Sequence, residues 1–197
     1  MAVSPKVIGS QRDSAATRDS ILESARSFFA RESYEAVGVR EIAGAAGVDP
    51  ALINRYFGSK EELFKNVLGA GAKEDLFLGV GRDQLPQHLA RLLMETPPGA
   101  PRTEKLEHLL IILRSSSSPV ACELVRESMH KHMLGAIAEL LDGEDTEFRA
   151  SLAMAVLMGT AIIRSVMAVS PICDQRTDHV ERCLVRLFSA ALAEGDC

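Results

Sequence analysis

The sequence predicts an all-α protein, a small N-terminal three-helix unit followed by a larger helical domain. Three observations carry this. Apolar residues recur at spacings of three and four through most of the chain, the period of a single helix face. Apolar and polar residues nowhere alternate at period two, so no strand is expected. The helical stretches are separated by local punctuation, including Gly47, Asp49-Pro50, Ser59 and the run Pro97-Pro98-Gly99-Ala100-Pro101.

Composition agrees. The chain has 197 residues, 47% hydrophobic and only 5% aromatic, which suits a packed core and excludes global disorder. The net charge of −5 is unevenly spread: residues 1–60 carry a net +1 and residues 61–197 a net −6. Any surface for a polyanion is therefore a local patch near the N-terminus. Cys122, Cys173, Cys183 and Cys197 form no C-x-x-C pair, and the first twenty residues are polar, unlike a secretory signal. The apolar stretches are broken by Arg or Ser and read as too short for a bilayer span. The expectation is a cytoplasmic protein with no membrane partner.

Residues 1–13 mix Pro, Gly, Ser and charge and read as a flexible arm. From Ala16 a helix follows, with Ile21, Leu22, Ala25, Phe28 and Phe29 on one face and Tyr34 packing under its end. The stretch 39–46 makes two turns, with Gly38 in the N-cap position. Gly47 stands where a left-handed C-terminal turn belongs. Asp49 is a good N-cap and Pro50 a good first helical residue, opening a short helix to Phe57. Ser59-Lys60-Glu61-Glu62 has the Ser-x-x-Glu form of a capping box and opens a longer helix with Leu63, Phe64, Val67 and Leu68 inside. Further helices are expected at 83–96, 103–117, 119–142, 144–170 and 175–194.

Two short helices joined by a tight glycine turn, inside a three-helix unit of about fifty residues, make a helix-turn-helix. In that arrangement the second helix lies in the DNA major groove while the first crosses the backbone. Small residues at Gly44, Ala45 and Ala46 would permit close approach of the two helices, with Ile42, Val48 and Ile53 fixing their crossing. The domain reading is an arm over 1–13, a helix-turn-helix DNA-binding domain over 14–60, and a helical ligand-binding and dimerisation domain over 61–197.

The run VREIAGAAGVDPALINRYFGSKEELF resembles the DNA-binding domain of the TetR (tetracycline repressor) family, with matches at Val39, Arg40, Ile42, Ala43, Ala46, Gly47, Val48, Tyr56, Phe57, Ser59, Lys60, Glu61 and Leu63. Two positions depart from the family pattern. Gly38 replaces the usual hydroxyl residue, and Asn54 replaces a frequent tyrosine. The resemblance implies DNA contacts by Arg40, Pro50, Ala51, Leu52, Asn54, Arg55, Tyr56 and Lys60. Arg12 and Arg18 would add phosphate or minor-groove contacts. Asn54 can pair with adenine or donate to a phosphate. Plainer readings stand beside these: a helix arginine is commonly solvated, Leu52 fits a core, and Tyr56 can pack beneath the unit.

The resemblance further implies a repressor that binds a palindromic double-stranded operator as a homodimer and is released by an apolar or amphipathic small molecule bound next to the fourth helix. Candidate pocket walls are Met94, Leu109, Ile112, Leu113, Met129, Met133, Met154 and Met158; methionine suits an adaptable pocket and an ordinary core alike. Candidate dimer contacts are Ala155, Gly159, Ile163, Leu184, Leu187 and Phe188, which serve equally as intrachain core. No cofactor, metal or catalytic residue is expected. His130 and His132 are two apart and point to different sides of a helix. His108 and Cys122 have no sequence relation to them, and neither Cys173 nor Cys183 has the setting of a reactive thiol. No Gly-rich phosphate loop or Gly-x-Ser-x-Gly appears, which argues against an enzyme. A helical bundle that binds only proteins is the other alternative, and it predicts no salt-dependent DNA affinity.

Overall fold

The computed structural model describes residues 8–71, 76–95 and 104–195, and no strand occurs among them. The Pro97–Pro101 break, Cys197 and residues 1–7 of the expected arm lie outside the described residues. The chain forms two compact units, residues 1–71 with 110–126, and residues 72–109 with 127–197.

In the first unit, α1 (Ile8–Phe29) begins inside the stretch expected as an arm, so residues 8–13 are helical. It buries Ile21, Ala25 and Phe29. Helices α2 (Val39–Ala46), α3 (Pro50–Phe57) and α4 (Lys60–Gly71) follow. Ile42 and Ala43 of α2, Ile53 and Phe57 of α3, and Leu63, Phe64, Val67 and Leu68 of α4 complete the core. Tyr34 packs as expected: its ring stacks on Phe29 at 5.9 Å and meets Phe64 edge-on at 5.1 Å, while Phe29 and Phe64 meet edge-on at 4.8 Å. Such offset and edge-on contacts add to the burial of the rings. Val48 is half-buried, so Ile42 and Ile53 supply most of the apolar contact between α2 and α3.

The expected boundary at residue 60 differs from the observed division. The apolar side of α4 belongs to the core of the first unit, and residues 110–126 also pack there. Arg114 donates from Nε to the Ala30 carbonyl at 3.1 Å, beyond the end of α1.

The second unit holds α5 (Leu85–Met94), preceded by a 3₁₀ turn at Arg82–Gln84. The division between units falls inside α6 (Glu104–Ser115) and α7 (Pro119–Met129). A π-helical turn at His130–Leu134 leads from α7 into α8 (Gly135–Glu139). Next come α9 (Thr146–Ala161), a second π-helical turn at Ile162–Val166, α10 (Ser170–Cys173) and α11 (Thr177–Leu192). The continuous helix expected over 119–142 therefore contains a π turn and ends at Glu139. The helix expected over 144–170 ends sooner, because Ala168 takes a positive φ of 49°.

Helix α5 packs against α11, and α9 against α8 and α11. Their shared core contains Leu85, Leu89, Leu93, Ile137, Ala150, Ala153, Met154, Leu184 and Phe188. Two arginines are buried with it. Arg149 donates from Nε and Nη2 to the Leu192 carbonyl at 3.1 and 2.9 Å, and from Nη1 to the carbonyls of Asp142 and Glu144 at 2.8 and 2.9 Å. Arg164 donates to the Leu93 carbonyl. Among the described residues one helical stretch, Thr146–Val166, is long and apolar enough to cross a bilayer, contrary to the expectation that every apolar stretch falls short. Arg149 and Arg164 stand near its ends, and the polar residues between them, Ser151 and Thr160, leave the stretch apolar enough. Both guanidiniums are held by carbonyls of the second unit itself.

Candidate nucleic-acid interface

The α2–turn–α3 pair is shaped by its caps. Gly38 has extended backbone at the start of α2, and its N–H donates to the Glu41 carboxylate at 2.9 Å. With no side chain on Gly38, only the glutamate half of a capping box exists. At the other end Gly47 is left-handed, φ 68° and ψ 31°. Its N–H bonds the Gly44 carbonyl at 3.2 Å and the Val48 N–H bonds the Ala43 carbonyl at 3.0 Å. This pair of bonds is the Schellman closure, which needs a residue tolerant of positive φ. Two residues later Asp49 caps α3, its Oδ1 accepting from the Ala51 N–H at 2.8 Å, with Pro50 in the first turn. Ser59 caps α4 in the same way, its Oγ accepting from the Glu62 N–H at 3.1 Å.

These caps leave α3 with one buried edge, Ile53 and Phe57, and one open face. Pro50, Ala51, Asn54 and Arg55 are exposed, as is Arg40 at the start of α2. Leu52, Tyr56 and Lys60 are half-buried. The Tyr56 hydroxyl is within hydrogen-bonding distance of Ser14 Oγ on α1, at 3.0 Å. The Lys60 ammonium lies over the Tyr34 ring at 4.5 Å. Burial lowers the pKa of Lys60, and the carboxylates of Glu35 and Glu61 act in the opposite sense. The Tyr34 hydroxyl is pushed up to about 12, first by burial and then by the same two carboxylates.

Some expectations change here. Arg18, expected at phosphate or in the minor groove, lies over the Phe57 ring at 4.9 Å and donates to Asn66 Oδ1 at 2.6 Å. The side chain of Arg12 lies outside the described residues. Gly44 is exposed and an added Cβ there would meet nothing within 4 Å, so it is not a close-approach residue. Ala45 is exposed and Ala46 half-buried. Ser14, Asn66 and Glu41 had not been singled out. The Ser14–Tyr56 and Arg18–Asn66 pairs are 42 and 48 residues apart, and no local pattern announces them.

The residues expected in the second domain divide. Leu184 and Phe188, expected at a dimer surface, are buried in the intrachain core, because α11 turns them toward α5 and α9. Ala155, Ile163 and Leu187 are exposed, and Gly159 is half-buried. Of the expected pocket residues, Met154 is core, and Met94, Met129, Met133 and Met158 are half-buried against that core. Leu109 belongs to the second unit, whereas Ile112 and Leu113 belong to the first. Among the described residues no group of three or more metal-ligating side chains comes together.

Comparison with known proteins agrees with this architecture. Residues 21–67 match the family described as bacterial regulatory proteins, tetR family, and residues 83–192 match the tetracyclin repressor-like C-terminal domain. No curated protein matches the sequence. A TetR-family regulator from Streptomyces coelicolor A3 is a structural neighbour at 29% identity, with 90% of this chain and 95% of that chain covered and a TM-score of 0.56. Salmonella enterica GusR has 18% identity, coverage of 89% and 95%, and a TM-score of 0.66. NalD of Pseudomonas aeruginosa, described as the secondary repressor of the MexAB-OprM multidrug efflux pump, has 19% identity, coverage of 88% and 96%, and a TM-score of 0.60. With its capped α2–α3 reader and a C-terminal helical domain both matched, this chain belongs to the TetR family of DNA-binding transcriptional regulators.

Proposed function

We propose that the protein is a homodimeric repressor that binds a palindromic operator through α3 of each copy and is released by an apolar or amphipathic small molecule. The observation that carries this reading is the open face of α3, where Pro50, Ala51, Asn54 and Arg55 are all exposed beside Arg40. A short helix reads few base pairs, so two copies related by a two-fold axis are needed for useful specificity.

The second unit supplies the rest of the argument. Large apolar side chains stand exposed along α9 and beyond it, namely Phe148, Leu152, Ile163, Val166, Met167 and Val169, together with Leu187 of α11. Several large apolar side chains left exposed on these helices support an association site. With Ala155 they support a two-fold contact through the outward faces of α9 and α11. Half-buried Met94, Met129, Met133 and Met158 support an adaptable apolar effector site within the second unit. Met133 stands in a π turn, a feature frequent at functional sites. The effector acts by preferring one of two dimer states, because a ligand with equal affinity for both shifts nothing. In the binding state the two α3 helices stand about 34–36 Å apart, one turn of B-DNA.

Selection of bound DNA from a random pool tests the reading. A palindrome with half-sites one turn apart supports it. No enrichment, or binding insensitive to salt, overturns it and leaves a protein-binding bundle.

A further inference from the structure

We infer that Asn54 and Arg55 together form the hydrogen-bonding reading head of the protein, and that each operator half-site therefore carries a guanine read by Arg55 and a neighbouring adenine read by Asn54. This rests on the regulator reading above and specifies its DNA.

Most other polar side chains near α3 are engaged by protein groups, and Arg40, exposed, stands on α2 and not on the groove-facing line of α3. Tyr56 is half-buried and its hydroxyl faces Ser14 of α1. Lys60 lies over the Tyr34 ring, and Arg18 is engaged by Phe57 and Asn66. Asp49 spends Oδ1 on the cap of α3. Asn54 and Arg55, by contrast, are exposed, and neither side chain has a protein partner among the described residues.

Helix geometry then ranks the two. At about 100° per residue, Arg55 points almost directly away from the midpoint of buried Ile53 and Phe57, with Ala51 one turn before it on the same line. Asn54 stands on the flank of that face. The line of Ala51 and Arg55 is the one that enters a groove most deeply when the Ile53–Phe57 edge stays in the core. Ala51 is too small to hold Arg55 away from the base edges, and its methyl suits contact with a thymine methyl. A guanidinium presented on such a line matches the O6 and N7 acceptors of guanine, the commonest specific contact in the major groove. A carboxamide on the next residue matches N6 and N7 of adenine, again with two bonds.

The experiment is selection from a random pool with the full-length protein and its Arg55→Ala and Asn54→Ala variants, each checked for helical content by circular dichroism. In Arg55→Ala the guanine preference at one position of each half-site disappears, and affinity for the wild-type consensus falls by about 5- to 150-fold. In Asn54→Ala the adenine preference disappears at a neighbouring position. The inference is overturned if either preference survives in its own alanine variant. It is overturned equally if Arg55→Ala weakens all sequences alike and flattens the salt dependence by about one ion, the mark of a phosphate contact. Failure of the wild-type protein to select any palindrome would instead remove the regulator reading itself.

Discussion

Replacing Arg149 with methionine keeps a long apolar side chain and deletes the guanidinium from the second unit. Four hydrogen bonds are lost: two to the Leu192 carbonyl and one each to Asp142 and Glu144. A bond from a charged donor contributes about 1.5–3 kcal/mol, so a simple sum reaches roughly 6–12 kcal/mol. That sum overstates the effect. The guanidinium is itself buried, and removing it also removes a desolvation penalty of several kcal/mol. Asp142 and Glu144 are exposed, so their carbonyls can turn to water. The Leu192 carbonyl ends α11 next to a buried side chain and is left without its donors, a loss of about 1–3 kcal/mol. The net expectation is a destabilisation of about 2–4 kcal/mol. Urea denaturation followed by circular dichroism measures it, fitted with separate transitions if the two units melt apart. Arg149→Lys, which keeps the charge but not the fork, falls between methionine and wild type. A methionine variant within about 0.5 kcal/mol of wild type would show that the four bonds merely balance the burial of the charge.

Other expectations follow from single groups. Gly47→Ala forces a side chain into φ 68° although its Cβ would meet nothing within 4 Å, so the loss is conformational and amounts to about 1–2 kcal/mol; Gly44→Ala, exposed and mid-helix, gains about 0.5–1 kcal/mol. The opposite signs are read from paired denaturation midpoints. Burial, and secondarily His132, lowers the pKa of His108 below its ordinary 6.5. Above that pH both the folded and the unfolded His108 are neutral. As pH falls below it the unfolded chain takes the proton first, so stability declines until the folded imidazole also protonates. Denaturation midpoints at pH 7.5 and 5.5 therefore converge in His108→Gln relative to wild type. Lys60→Met lowers operator affinity and reduces the slope of log K against log salt by about 0.9 if the ammonium leaves Tyr34 for a phosphate on binding; an unchanged slope shows that Lys60 serves only the packing of Tyr34.

The reader unit was legible because its signals are local. Gly47, Asp49-Pro50 and Ser59 each act within a few residues of themselves, and each holds the turn or cap its type favours. What lay outside the sequence was set by distant partners. The spacing of Leu184, Leu187 and Phe188 marks an apolar helix but not which side meets α5; Leu187 faces out while its neighbours face in. Tyr56 is half-buried, and its hydroxyl finds Ser14 on a helix from another part of the chain. The π turns at 130–134 and 162–166 shift the register by about one residue, too little to disturb a three–four apolar spacing. In sequence Arg149 is a lone charge beside apolar residues, and nothing local announces its partners, carbonyls at the end of α11 and in the loop before α9.

The glycine at the head of α2 leaves its closure half made. A Cβ added at Gly38 would stand 2.8 Å from Glu41 Oε2. A serine or threonine there, the kind of residue the family pattern carries at this point, would meet only the flexible end of the Glu41 side chain. Its hydroxyl would accept from the Glu41 N–H while the carboxylate keeps its bond to the N–H of residue 38, which completes the box. A graft of the hydroxyl therefore adds a second cap bond to the one already present, before it adds any contact to DNA.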